Sequence, residues 1–317
     1  MIYDLIIIGT GVAGLSAGLY AGRYKMKTLL IGSPFGGETA KAGSIWNYPG
    51  ARGVDGYDLM RIMEAQAKNV GVEIIEGKVT KTLAEGHCFK ITVDGKEYVS
   101  KTLILTNGAE RRRLGLPNET ALANKGVHYC VTCDGPVYVG KVVAMVGGGD
   151  AAVKGVNLVS QYAKKVYLLV RGKELKAEPI NQSEMEKLGD KVEILFETAV
   201  TEIIGTDKLE KVVLSRTHDG SNELVLDGLF VEIGVIPDRE FSDSLKLGTD
   251  ERGYIIVDKS MKTNVDGVFA AGDATDFFGS FKQIVTAAAM GAVAATSAYQ
   301  DAKTHGELCQ LHWLPAK

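Results

Sequence analysis

Leu5-Ile6-Ile7-Ile8-Gly9-Thr10-Gly11-Val12-Ala13-Gly14 opens the chain almost at its first residue. Four apolar residues in a row, with no alternation, predict a short parallel strand buried on both faces. The helical stretch Leu15–Arg23, rich in Ala, Gly and Leu, follows directly. Strand, glycine turn and helix in that order predict a dinucleotide site. Gly9 makes the tight turn, Gly11 lets the backbone approach a pyrophosphate, and Gly14 allows close helix–strand packing, with phosphate on the helix N-terminus.

Working outward, the strand Thr28–Ile31 ends at Gly32 and Ser33, where a simple NAD site places an acid for the ribose hydroxyls. The loops Gly36-Gly37-Glu38-Thr39 and Trp46-Asn47-Tyr48-Pro49-Gly50 could line a larger cofactor. Leu59–Val70 predicts an amphipathic helix with Gly71 beyond its end. Val72–Ile75, Val79–Leu83, Phe89–Val93 and Lys96–Val99 predict strands, with Asp94-Gly95 as a hairpin turn. Leu103–Gly108 predicts a further buried strand running into a turn, and Cys88 reads as a small buried hydrophobe. The run Arg111-Arg112-Arg113 reads as a solvated charge run.

A second strand–glycine unit begins at Val142–Val146 and Gly147-Gly148-Gly149-Asp150-Ala151-Ala152 and continues into the strand Val166–Val170. Two such units in one chain predict an α/β protein with two Rossmann-like dinucleotide-binding domains. A helix Ile180–Leu188 follows, then strands at Val192–Leu195, Ala199–Ile203, Lys211–Thr217, Glu223–Leu226 and Leu229–Ile233. Val268–Asp273 predicts another buried strand, with an acid at its carboxyl end, where open parallel sheets bind ligands. The small-sided helix Gln283–Tyr299 comes next, and its alanines permit close backbone approach.

Just ahead of the second glycine turn stands Gly126-Val127-His128-Tyr129-Cys130-Val131-Thr132-Cys133-Asp134-Gly135. Cysteines three apart share one face of a helical turn, and a helix beginning near Cys130 would favour the thiolate that attacks disulfides. Asp134 could move the proton of the second or leaving thiol. A structural zinc site needs four ligands; only His128 is near, and it reads as a loop residue, so no metal is expected.

The 317 residues suggest two domains, and the net charge of −3, with both signs mixed, argues against nucleic acid or an acidic membrane surface. No apolar run reaches a membrane span, the N-terminus does not read as a signal peptide, and four cysteines are too few for a disulfide scaffold. A cytoplasmic protein is expected.

These pieces, in this order, resemble the low-molecular-weight thioredoxin reductases. The resemblance rests on the first glycine motif, Gly36-Gly37, Asn47-Tyr48-Pro49-Gly50, Cys130–Gly135, Gly147–Asp150, and Ala271-Gly272-Asp273 followed by Lys282-Gln283. It covers the chain to about residue 300, and CxxCDG before the second glycine motif is its most discriminating part. The resemblance implies FAD held by Gly9, Gly11, Gly14, Gly37, Glu38, Asn47, Gly272, Asp273, Lys282 and Gln283. It implies a discontinuous FAD domain, 1–113 plus 241–317. Into this is inserted, at 114–240, a three-layer ββα nucleotide domain using Gly147, Gly149, Asp150, Ala151, Arg171 and Lys176. Cys133 would face the flavin, Cys130 would attack the substrate disulfide, and Asp134 would be the acid. Homodimers, a rotating inserted domain, and thioredoxin or a similar redox protein as partner are also implied.

The departures concern the electron donor. The family's His-Arg-Arg and a further arginine, which grip the NADPH 2′-phosphate, are here Val170-Arg171-Gly172 and Lys176, and a lysine lacks the arginine fork. Lys154 replaces a glutamate and Lys282 an arginine. Arg171, Lys173 and Lys176 still form a basic edge, and no acid ends the strand to favour NADH. NADPH therefore leads, with ferredoxin or reduced deazaflavin as other donors. A flavin dithiol oxidase using oxygen, or a non-enzymatic redox sensor, are the competing readings. Cys309 reads as a free thiol of an exposed tail, and Trp313 as an aromatic that could cover a cofactor in a partner subunit.

Overall fold

The protein is described by a computed structural model over residues 2–85, 88–279 and 281–312, with backbone alone at 85 and 305–312. The chain forms two compact units, Met1–Glu110 with Ile236–Lys317, and Arg111–Val235. The sequence expectation set the crossings at 113/114 and 240/241; the compact units divide at 110/111 and 235/236.

In order, the first pass through the discontinuous unit gives β1 (Ile2–Ile8), α1 (Val12–Arg23), β2 (Thr28–Ile31), α2 (Gly56–Asn69), β3 (Glu73–Ile75), β4 (Val79–Glu85), β5 (Cys88–Val93) and β6 (Lys96–Leu105). The continuous unit contains β7 (Val127–His128), α3 (Val131–Asp134), β8 (Val142–Val146), α4 (Asp150–Val159), β9 (Lys165–Leu169), α5 (Pro179–Glu186), β10 (Val192–Leu195), β11 (Val200–Gly205), β12 (Leu209–His218), β13 (Ser221–Val225) and β14 (Gly228–Val231). The return adds α6 (Glu240–Leu245), β15 (Val268–Ala270) and α7 (Ile284–His312).

In the discontinuous unit the sheet order is β3-β2-β1-β6-β5-β4, and β15 pairs with the end of β6. β1 lies parallel to both β2 and β6. Its apolar run divides by alternation: Leu5 and Ile7 join the side packed with α1, α2 and α7, while Ile6 and Ile8 join the side packed with β4, β5 and α6. All four are buried, which is why no polar residue interrupts the run. Each such side chain contributes about 1.5–3 kcal/mol on burial.

The expected strands Lys96–Val99 and Leu103–Gly108 are one strand, β6. Its first half pairs antiparallel with β5, and its second half pairs parallel with β1 and β15. The polar Ser100-Lys101-Thr102 between the halves reads as a break. Thr102 is nevertheless fully buried, because its hydroxyl donates to Asp4 O at 2.8 Å. Asp94 and Gly95 have φ of 47° and 81°, as the primed hairpin turn between β5 and β6 requires.

The continuous unit has a parallel sheet, β7-β14-β8-β9-β10. Val143 and Met145 of β8 face α4 and α5, and Ala144 and Val146 face the antiparallel sheet β11-β12-β13. That is the three-layer arrangement. Both glycine turns therefore sit at the carboxyl ends of central parallel strands, between strand and helix. No helix among the described residues is long and apolar enough to cross a membrane. Cys88 is buried, as expected, and is not a free thiol. The side chain of Cys309 and all of Trp313 lie outside the described residues.

Candidate active site

In the discontinuous unit, Gly9 has φ +117°, and a Cβ there would lie 2.2 Å from Thr106 O. A Cβ on Gly14 would lie 1.9 Å from Gly9 O. Around Gly11, the N-cap of α1, nothing lies within 4 Å of a Cβ position, and no side chain caps the helix. Turn and packing thus exclude side chains at Gly9 and Gly14, while the backbone at Gly11 lies open and the first α1 N–H groups are left for an anion. Thr106, which the sequence reading passed over, locks this turn by donating to Ile8 O at 2.8 Å and Gly9 O at 3.0 Å. Its position, straight after the buried end of β6, is the signal that marks it.

Two of the other expected residues of this unit stand against the turn. A Cβ on Gly37 would stand 3.7 Å from Gly11 Cα, and one on Gly272 would stand 3.0 Å from Ala13 Cβ. Asn47 Nδ2 donates to Gln283 Oε1 at 2.9 Å, joining two segments far apart in sequence. Asp273 is pushed above the usual carboxylate range by burial and by the charge of Glu38, with Lys282 opposing. Glu38 itself lies on the surface, 2.8 Å from Lys41. Lys282 donates to the carbonyls of Asp273 and Thr275 and sits 4.0 Å over the Tyr254 ring. Burial holds its ammonium below the ordinary lysine range, with Arg252 lowering it further against Asp273.

In the continuous unit, Gly147 has φ +144°, and a Cβ would meet Glu232 O at 2.2 Å. Gly149, the uncapped N-cap of α4, is open like Gly11. Asp150 accepts from Glu178 N at 2.8 Å and Asn181 Nδ2 at 2.9 Å, and faces Lys154 Nζ at 3.2 Å. Burial alone raises its pKa, but these donors outweigh burial and hold it below the carboxylate range. Ala151 is exposed on the first turn of α4. The backbone N–H of Lys176 donates to Gly148 O at 2.7 Å, tying the basic loop to the glycine turn. Among the described residues, no ion pair engages Arg171 or Lys176, whereas Lys173 lies 4.0 Å from Glu197. The triple arginine is only partly solvated: Arg111 pairs with Glu232, and Arg113 stacks 5.4 Å over Tyr129.

The same unit carries the dithiol. Cys130 and Cys133 form a disulfide with Cα atoms 5.3 Å apart. Cys130 is the N-cap of α3, and the Cys133 N–H donates to its Sγ at 3.3 Å. An N–H so placed is of the kind that favours a thiolate over a thiol. His128 corrects the sequence expectation. It is a buried strand residue, not a loop residue, with Nε2 2.6 Å from Tyr138 Oη and Nδ1 3.1 Å from Asp134 Oδ2. No cluster suited to a metal ion occurs among the described residues.

A redox-active cysteine pair on a nucleotide-type α/β unit, with a second glycine-cradled unit in the same chain, defines a nucleotide-linked disulfide oxidoreductase. Residues 3–291 match the pyridine nucleotide-disulphide oxidoreductase family. A thioredoxin reductase of Listeria innocua is 40% identical over 302 residues, covering 94% of this chain and 93% of the relative. The crystal structure of Lactococcus lactis thioredoxin reductase superposes with a TM-score of 0.90 at 35% identity, covering 95% of this chain and 99% of that one. That of T. acidophilum thioredoxin reductase gives 0.87 at 33%, covering 95% and 99%. The chain belongs to the pyridine nucleotide-disulphide oxidoreductases, in their low-molecular-weight thioredoxin reductase branch. It is a flavin-linked disulfide oxidoreductase, a family that works with flavin and nicotinamide nucleotide.

Proposed function

We propose that this enzyme passes two electrons from NADPH through FAD to the Cys130–Cys133 disulfide, and from the resulting dithiol to thioredoxin or a similar small redox protein. The observation that carries the reading is the disulfide at the N-cap of α3, within the unit that bears the second glycine turn. Gly9, Gly11, Gly14, Gly37, Glu38, Asn47, Gly272, Asp273, Lys282 and Gln283 would hold FAD. Two features support this: glycine positions that a Cβ would fill, and the Asn47–Gln283 bond that brings both chain segments to one place. Gly147, Gly149, Asp150 and Ala151 would hold the nicotinamide nucleotide. Arg171 and Lys176, beside the turn and free of ion pairs among the described residues, suit the 2′-phosphate. FAD, when bound, supplies the carrier between a hydride donor and a disulfide.

The thiol chemistry belongs to the chain's own residues. Cys130 Sγ, as thiolate, attacks one sulfur of the substrate disulfide; that S–S bond breaks, and the released thiolate takes a proton. Cys133 Sγ then attacks Cys130 Sγ, restoring the internal disulfide and releasing the second substrate thiol. Asp134, adjacent to Cys133, exchanges the proton in each step. The enzyme would work as a cytoplasmic homodimer.

The test is anaerobic mixing of the flavin-loaded protein with NADPH and, separately, with NADH, following flavin absorbance. Fast bleaching by NADPH, slower bleaching by NADH, and onward reduction of thioredoxin are expected. If dithionite bleaches the flavin but NADPH does not, the donor assignment falls. If the photoreduced enzyme leaves thioredoxin oxidised, the acceptor assignment falls.

A further inference from the structure

His128 lies beside the dithiol with two polar neighbours, and the thiol chemistry above does not use it. Its side chain is about 6% exposed. The ring stands 5.4 Å from Phe230 and edge-on to Tyr138 at 5.5 Å. Tyr138 reaches this spot because β14 begins with a glycine. A Cβ on Gly228 would fall 2.5 Å from Tyr138 Cε1. If packing were all the site required, an apolar side chain would fill it without burying two ring nitrogens.

Hydrogen-bond capacity favours one state of the ring. Nδ1 faces Asp134 Oδ2 at 3.1 Å without a formed hydrogen bond in the disulfide form, and because a carboxylate only accepts, a proton on Nδ1 avoids setting two acceptors face to face. A neutral imidazole has one donor and one acceptor, so Nε2 accepts, and the donor at 2.6 Å is the Tyr138 hydroxyl. The remaining charges are consistent with a neutral ring. Burial lowers the imidazole pKa, and the nearby Asp134 only partly restores it. Burial, with Asp134 and Asp227 behind it, pushes the Tyr138 phenol up to about 12, so it remains a donor. Asp227 is itself held by the Val142 N–H at 2.9 Å and by Lys141 at 3.6 Å, and Phe230 of β14 brings no charge.

We propose that His128 is a positioning residue for Asp134: the Tyr138 hydroxyl holds the imidazole in its Nδ1–H tautomer, and that N–H orients the carboxylate serving the Cys130–Cys133 dithiol. The inference rests on the reading of Asp134 as the proton-exchanging group. In the disulfide form the 3.1 Å contact lies off the axis of the ring N–H, so rotation of the carboxylate makes or loosens the bond. With that bond made, the chain Tyr138 O–H to His128 to Asp134 favours one rotamer of the carboxylate at the end of α3.

Two measurements on the full-length, flavin-loaded protein test this. The first is the 15N-histidine NMR spectrum of the reduced protein near neutral pH, with His128 assigned by its absence in His128→Gln. A protonated Nδ1 and unprotonated Nε2 are expected, with the tautomer balance moving in Tyr138→Phe; a protonated Nε2 in the wild type overturns the proposal. The second is the pH profile of iodoacetamide alkylation of the reduced dithiol. His128→Gln and Tyr138→Phe should displace its midpoint by about 0.5 pH unit, in the direction of Asp134→Asn and by less than that variant. Tyr138→Phe keeps the ring and its packing, so it stands if His128→Gln folds poorly. Profiles of both that superimpose on the wild type, beside a displaced Asp134→Asn profile, reduce His128 to packing and leave Asp134 in its role. An Asp134→Asn profile that also superimposes removes Asp134 from the thiol chemistry, and the inference with it.

Discussion

In the proposed mechanism Cys130 and Cys133 divide the work at the residue scale, and a Cys130 variant should show one half of it. Cys130→Ser removes the attacking sulfur, so turnover of a protein disulfide should fall about 10³-fold or more. Flavin bleaching by the nucleotide should survive, because that step needs no thiol. Stopped-flow absorbance together with a thioredoxin assay separates the two; loss of both in the variant would contradict the assignment. His128 gives a second prediction, on stability. Its folded pKa lies below the unfolded value of 6.5, so between the two values the unfolded chain holds more protons. Stability from this group is therefore complete above about pH 6.5 and declines as pH falls through the window beneath it. Urea midpoints compared at about pH 7.5 and 5.5 should fall further in the wild type than in His128→Gln; equal falls would show that the ring is already charged in the fold. The cysteine pair was legible in the sequence because spacing alone defines it. His128 was not legible, because its partner Tyr138 and the space left by Gly228 come from a later turn and from a strand far along the chain.

The packing of α1 against α7 shows what an element's composition can and cannot reveal. The small residues of α7 announce close approach, but not to what. The structure supplies the partner. A Cβ on Gly291 would lie 2.1 Å from Ala13 O and 3.1 Å from Ala17 N, and Ser16 Oγ donates to Ala288 O at 2.6 Å. Replacing an interior helical glycine with alanine usually stabilises a helix. Here the added methyl meets backbone that cannot swing aside, so Gly291→Ala should destabilise by about 1–3 kcal/mol. The same displacement would shift the α1 N-terminus, where the pyrophosphate is proposed to sit, and FAD retention on gel filtration should drop in parallel. Unfolding midpoints above the wild type would mean that the helices have room to part. Strand β6 is the opposite case. Its polar centre reads as a gap between two strands, because sequence pattern prices a buried threonine without seeing that Asp4 O is there to accept from it.

At the scale of the whole molecule, the discontinuous unit has a consequence for cofactor binding. Gly9, Gly11, Gly14, Gly37, Glu38 and Asn47 lie before the crossing at 110/111, and Gly272, Asp273, Lys282 and Gln283 lie after that at 235/236. A FAD site drawing on both segments binds only when both ends of the chain have folded together, so ligand binding should stabilise this unit as one body. Free FAD at 100 times its dissociation constant contributes about 2.7 kcal/mol. For a unit of roughly 190 residues this corresponds to about 5–10 °C in Tm. Nicotinamide nucleotide, proposed to bind the continuous unit, should act on a separate transition or leave the FAD-dependent one in place. Asp273→Ala makes the test specific, since it leaves the Gly9–Gly14 turn intact and removes a carboxyl from the second segment. Calorimetry of the FAD-stripped protein should show the FAD shift reduced to a small fraction in that variant and the nucleotide shift unchanged. An FAD shift of full size in Asp273→Ala would mean that the first segment alone holds the cofactor, and that the return of the chain serves only to close the sheet.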